Sequence, residues 1–259
     1  MKYYFVSIII LIALGIQAQV IDCPTPIIVG NPYESNYQVI YPLGWSDEGH
    51  FSYIYQDINV LAGGGGFQYN FIMQNMKTDK ILFEKRIYYN PENAYDWEPF
   101  STKTDSLAYE KMAYFDYAFF KTIAWSKNRH QILDSLTKHK IKPTHLSLNN
   151  ILILQEKGIT VDEKSNIDLS KNGTLTTDYK ITLYSEDIKE KTIYHWHCKD
   201  ENCSKNNNLL YRRFKIKGYF KSPFENRIAI IVFKEKNGYG EINEFPFAIG
   251  ANLGKGKTH

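Results

Sequence analysis

The chain has 259 residues, of which 43% are hydrophobic and 15% aromatic, enough apolar material for a packed core and too much for a disordered tail. Its formal charge of +3 comes from 31 basic and 28 acidic residues interspersed along the sequence. That pattern offers no basic stripe for nucleic acid or an anionic membrane.

In chain order the first feature is a targeting signal. MKYYFVSIIILIALGIQAQ sets Lys2 before an apolar run from Phe5 to Leu14, with short residues up to Ala18, the layout of a secretory signal peptide cleaved after Ala18. The run is shorter than the roughly 20 residues of a membrane span, and no later apolar run reaches that length. Residues 19–259 are therefore expected outside the cytoplasm, periplasmic or extracellular, as a single domain with no transmembrane span after cleavage. Cys23 follows closely, but Asp22 stands where lipoprotein cleavage wants a small residue, which argues against a lipid anchor.

Strand signals come next. NYQVIYPLGW (Asn36 to Trp45), the turn SDEG and HFSYIYQD (His50 to Asp57) read as a β-hairpin, and FQYNFIMQN (Phe67 to Asn75) with KILFEKRIYY (Lys80 to Tyr89) as a second pair. Between the pairs, Gly63, Gly64, Gly65 and Gly66 form a candidate binding loop. A phosphate cradle would need a helix after such glycines, and a strand follows instead.

The period changes in the middle. Leu107, Met112, Phe115, Phe119 and Ile123 recur at helical spacing, and Asn128 to His139 continues with Ile132, Leu133 and Leu136 on one face before Pro143 discourages further helix. This predicts a helical hairpin inserted over about 104–142. Strand character returns in LNNILILQ (Leu148 to Gln155), ITVD (Ile159 to Asp162), DYKITLYS (Asp178 to Ser185) and KEKTIYHWH (Lys189 to His197). It continues in LLYRRFKIKGYF (Leu209 to Phe220), NRIAIIVFKE (Asn226 to Glu235) and FPFAIG (Phe245 to Gly250). Short connections predict antiparallel pairing, so the fold class is α+β, antiparallel and β-rich with an inserted helical hairpin.

YPLGWSDEGHFSYIY (Tyr41 to Tyr55) and GYFKSPFENRIAIIVF (Gly218 to Phe233) resemble segments of uncharacterised secreted bacterial proteins, in which an aromatic-Ser-x-x-Gly turn opens the β region. The resemblance implies export and carries no activity with it. Propeller-like turns at Gly49, Gly173 and Gly238 are too irregularly spaced for blades of about 40 to 50 residues.

Few motifs suggest chemistry. GANLGKGKT (Gly250 to Thr258) has Ala251 where a P-loop needs glycine, and neither HExxH nor GxSxG occurs. The one crowd of metal-type ligands is HWHCKDENC, His195 to Cys203. In an oxidising compartment Cys198 and Cys203 are expected to close the polar KDEN loop as a disulfide. The alternative is zinc held by His195, His197, Cys198 and Cys203, since alternate strand residues share a face and zinc accepts imidazole and thiolate together.

Two functions fit this sequence. The first is a non-enzymatic module of the envelope or exterior, needing no cofactor, whose partner is a protein or a glycan met through aromatic-rich strands. The second is a metal-dependent hydrolase on His195 and His197, with His50 or His145 as a third ligand. A third nitrogen or carboxylate beside the histidine pair would favour the second. Exposed coplanar aromatics on one sheet would favour a glycan.

Overall fold

The computed structural model describes residues 23–29, 38–57, 67–89, 117–169, 175–186, 189–199, 211–237 and 242–254. The expected signal segment, the glycines at 63–66, the first part of the expected helical insertion, Cys203 and the end of GANLGKGKT lie outside them. Within them every strand pair is antiparallel, and the strands make three sheets. Sheet 1 runs β1 (Ile27–Val29), β2 (Gln38–Trp45), β3 (His50–Asp57), β4 (Phe67–Asn75), β5 (Lys80–Tyr89), with the short β6 (Lys142–Pro143) on the same edge of β2 as β1. Sheet 2 is β7 (Thr160–Leu169), β8 (Leu175–Ser185) and β9 (Lys189–Lys199); sheet 3 is β10 (Tyr211–Lys221), β11 (Arg227–Asn237) and β12 (Ile242–Asn252).

The helical insertion is one helix in the described residues. An α-helical turn at 117–119 leads into a π-helical stretch, Phe120–Trp125, and then into α1 (Ser126–Lys138). The expected division at Asn128 is absent, because no Pro or Gly interrupts the ladder and Asn128 instead donates its side-chain amide to the Ala124 carbonyl. The end is sharp. Ile141 N–H reaches back to the Leu136 carbonyl and Lys140 N–H to that of Thr137, with Lys140 left-handed at φ 55°, a Schellman closure without its usual glycine.

LNNILILQ is corrected from strand to helix. Asn149 makes a single bridge to Tyr219, and Leu152–Glu156 then forms α2, a helix of 5 residues. Asn150 Oδ1 accepts the Leu152 N–H at the start, and Gly158, at φ 73°, closes the end through Ile159 N–H to the Leu154 carbonyl. Of the four apolar residues from Ile151 to Leu154 only Leu154 is buried, whereas Leu152 is 56% exposed. A short apolar run cannot by periodicity alone be told from a buried helical turn.

Three cores separate four layers. Phe119, Phe120, Trp125, Ile132 and Leu136 of the helix pack on Tyr41, Leu43, Ile54, Tyr69 and Phe71 of sheet 1, with Tyr41 and Phe120 stacked 3.8 Å apart. The opposite face of sheet 1 (Ile40, Trp45, Phe51, Tyr53, Ile72) meets Ala229, Ile231 and Phe233 of β11. The intervening residues of β11, Ile228, Ile230 and Val232, face Tyr179, Ile181 and Leu183 of sheet 2, and Leu154 of α2 joins them. The order is helix, sheet 1, sheet 3, sheet 2. No helix among the described residues is long and apolar enough to cross a membrane.

Sheets 1 and 3 are also joined by polar contacts at the β4–β5 turn. Gln74 Nε2 donates to the Ala248 carbonyl at 3.0 Å, Gly250 N–H donates to Asp79 Oδ1 at 2.6 Å, and Arg227 Nη1 donates to the Met76 carbonyl at 3.0 Å. This approach needs glycine at position 250, where an added Cβ would stand 1.8 Å from the Met76 carbonyl oxygen. Gly158 has open space around it and is constrained by its φ alone.

Two glycine substitutions separate crowding from backbone strain. Gly250→Ala is expected to cost about 3 kcal/mol, the upper range of overpacking, and Gly158→Ala about 1 kcal/mol, the penalty of a left-handed non-glycine residue. Urea unfolding of both variants checks the order; equal losses would mean that the β4–β5 turn moves aside freely.

Candidate functional site

The histidine pair lies on the outer face of sheet 2. Alternation along β9 turns Trp196 inward, 5.4 Å from the Phe214 ring, and leaves His195 and His197 outward and about half exposed. On β8, Tyr179 is fully buried and stacks 4.1 Å from Phe214, so its neighbour Asp178 faces outward as well. The register then matters. From the β8–β9 turn the ladder pairs Ser185 with Lys189 through Thr182 with Thr192, and a bulge next shifts it by one, pairing Ile181 with Tyr194 and Asp178 with His197.

The shift brings three polar side chains together. Asp178 Oδ1 accepts from His195 Nε2 at 2.6 Å and lies 3.3 Å from His197 Nδ1, and the imidazole centroids are 6.4 Å apart. The His195 hydrogen bond, more than the weaker one from His197, holds the Asp178 carboxyl below its usual range. As they stand these groups are hydrogen-bonded; among the described residues no group of three His, Cys, Asp or Glu forms a ready metal cage. Cys198 occupies a backbone position opposite Thr177. The expected disulfide, and the zinc set that included Cys198 and Cys203, fall outside the described residues.

The other two histidines have different surroundings. His50 Nδ1 lies 3.4 Å from the His139 carbonyl at the end of α1, with the two rings 6.2 Å apart, and burial followed by the His50 charge lowers the His139 pKa. His145 lines a groove of about 550 Å3 with Cys23, Pro42, Leu136, Pro143 and Leu146, a largely apolar, proline-rich wall between β1 and β6. Neither contacts the outward pair of sheet 2.

A second concavity, of about 460 Å3, opens where the three sheets meet. Tyr53 and Tyr55 of β3, Tyr194 of β9, and Phe245 and Phe247 of β12 supply aromatic surface, while Glu84, Arg86 and Lys234 supply charge. The Tyr194 and Phe247 rings lie 5.3 Å apart, and Lys234 Nζ sits 4.6 Å from the Phe247 centroid. Arg86 and Glu84 bond to each other at the mouth at 3.3 Å. The floor is already satisfied, since Gln74 and Asp79 serve the junction between sheets 1 and 3; burial raises the Asp79 carboxyl, and the Gly250 N–H opposes that rise. Burial also lowers the Lys234 ammonium.

Sequence reading finds the histidines and misses both Asp178 and this cleft. Asp178 has a signal in the alternation of DYKITLYS, but only the bulge sets its partner. The cleft has none, because its walls come from strands far apart in the chain. Most described aromatics pack inward, Trp45, Trp125, Tyr41, Tyr53, Tyr69, Tyr179 and Tyr219 among them, and they form no exposed row for a glycan. Comparison with known proteins gives no match: no family model, no curated protein and no solved structure matches this chain.

The cost of seating Lys234 in the cleft is measurable. A depressed lysine pKa means the folded state binds fewer protons than the unfolded chain above that pKa, so the penalty is full at neutral pH and is relieved as pH rises toward the ordinary lysine value of about 10.4. Lys234→Met is expected to match or exceed the parent in stability at neutral pH and to lose the parent's stability gain in alkali. Urea unfolding across that range checks this, and parallel pH profiles would contradict it.

Proposed function

We propose that the chain is an exported, non-enzymatic binding module whose ligand seat is the cleft between the three sheets. The observation that carries this is the convergence of Tyr55, Tyr194 and Phe247 with the desolvated Lys234 ammonium in one concavity. Its volume of about 460 Å3 lies in the range of small-ligand sites, and an apolar wall with a few placed polar groups is their usual chemistry. A partly buried cation has lost part of its hydration, so an anionic ligand there gives up less water in meeting it. The ligand class is a flat apolar body bearing a negative group, free or at the end of a partner's chain.

Export rests on the sequence of the first 18 residues. The hydrolase reading gains a third group in Asp178, yet the two histidines stand about half exposed and Asp178 more than a third exposed on an outer sheet face, where water would surround the reacting centre. Binding is therefore the stronger reading.

Anilinonaphthalene sulfonate, an aromatic anion that fluoresces out of water, probes the cleft directly. The folded protein is expected to bind it, with affinity lowered about tenfold, or about 1.4 kcal/mol, in each of Tyr194→Ala and Lys234→Met, and unchanged in Tyr88→Ala, an exposed aromatic outside the cleft. Circular dichroism confirms that each variant is folded. Equal binding by all four proteins would remove the cleft as the seat.

A further inference from the structure

We propose that β5 is a pairing edge for a second copy of this chain, joining sheet 1 of each into one continuous antiparallel sheet about a two-fold axis at Lys85. Among the described residues β5 pairs with β4 alone and ends the sheet, so one row of its N–H and C=O groups faces outward along a strand of 10 residues. Apolar side chains stand uncovered on it as well, with Ile81 50% and Tyr88 54% exposed. Two other edges offer less. On β12 the Ala248 carbonyl and the Gly250 N–H are already bonded to Gln74 and Asp79 of sheet 1, and Pro246, on the same edge by alternation, has no N–H to give. Strand β1 has only 3 residues.

Charge selects the register. Residues directly opposite in an antiparallel pair share a face, so a two-fold axis through the sheet passes beside one residue and its own copy. An axis at Glu84 sets that carboxylate against itself, and an axis at Arg86 does the same for the guanidinium; like charges directly opposite are destabilising. An axis at Lys85 instead sets Glu84 opposite Arg86 of the other copy, twice over by symmetry, and Phe83 opposite Ile87. These two pairs replace the bond that Arg86 Nε makes to Glu84 within one chain, an exposed contact of 3.3 Å that contributes little by itself. Lys85 then meets its own copy, and edge lysines ordinarily deter pairing. Here its ammonium is drawn away over α1, where it donates to Asn128 Oδ1 and Gln131 Oε1.

Pairing also bears on the cleft. Glu84 and Arg86 line it, so the dimer carries two clefts on the same face of one sheet, and a partner with two ligand groups engages both. The pairing itself does not depend on the cleft binding anything.

Analytical ultracentrifugation tests the edge without any ligand. Two paired strands bury little surface, so the dimer is expected to form with rising concentration across about 1–100 μM. Glu84→Arg and Arg86→Glu each set like charges opposite one another in both pairs, and each is expected to weaken dimerisation about tenfold or more. Mixed in equal amounts, the two variants become complementary and should dimerise as the parent does. Circular dichroism confirms that each is folded. A parent that stays monomeric throughout, single variants that dimerise like the parent, or a mixture no better than its components would overturn the assignment.

Discussion

The six residues of β11 from Ile228 to Phe233 are completely shielded from water, and the two faces of that strand are claimed by different neighbours. Ala229, Ile231 and Phe233 complete the core shared with sheet 1, while Ile228, Ile230 and Val232 complete the one shared with sheet 2. Full burial of a large apolar side chain contributes about 1.5–3 kcal/mol, so a few residues of one strand anchor both cores at once. A strand with two dry faces cannot alternate polar and apolar residues, and IAIIVF does not. Polar substitution at any of the six would leave a group with neither water nor a designed partner.

That constraint explains the polar junction at the margin of sheet 3. Arg227 opens β11 and Gly250 sits opposite Ala229 on β12, so the apolar centre gives way within one residue to the Met76–Asp79 turn of sheet 1. Carbonyls and amides there are no longer covered by side chains, and each must find a partner. Asp79 takes a left-handed conformation, at φ 57°, that aspartate tolerates, and its carboxylate thereby reaches the Gly250 N–H. The hydrophobic contact sets how close the sheets lie. The hydrogen bonds set how they are aligned.

The strands were legible where alternation or a long β-branched run marked them: β3, β4 and β5 have the bounds that their patterns predict. The short β1 and β6 carry no pattern of their own and exist because both lie along the open edge of β2. LNNILILQ misled for a physical reason. Its apolar run is as long as a strand, while its fate was decided by Asn150 at one end and Gly158 at the other. The candidate site divides in the same way. His195 and His197 can be paired by counting along one strand, but counting from the β8–β9 turn without a bulge sets Asp178 opposite Trp196, on the inward face. One extra residue, Ile193, moves it to the histidines. Nothing in a single sequence marks a bulge of this kind.

The layered arrangement also determines where function can reside. Among the described residues both faces of sheet 3 are covered, by sheet 1 and by sheet 2, and the centre of sheet 1 is covered by the helix on one side and β11 on the other. Among the described residues, chemistry that needs a ligand to enter is left with the margins of the layers, the cleft where the three sheets meet and the groove between β1 and β6, and with the outer surface of sheet 2. The seam gathers aromatic rings because strands of all three sheets end there in large residues, and Lys234 is the first polar side chain beyond the buried run of β11. The outer surface of sheet 2 supplies the opposite environment, polar and wet, where imidazoles remain reachable by protons and by ions. A cleft with a desolvated cation and a surface with exposed bases follow from the same cause: the strand that holds the stack together occupies its middle.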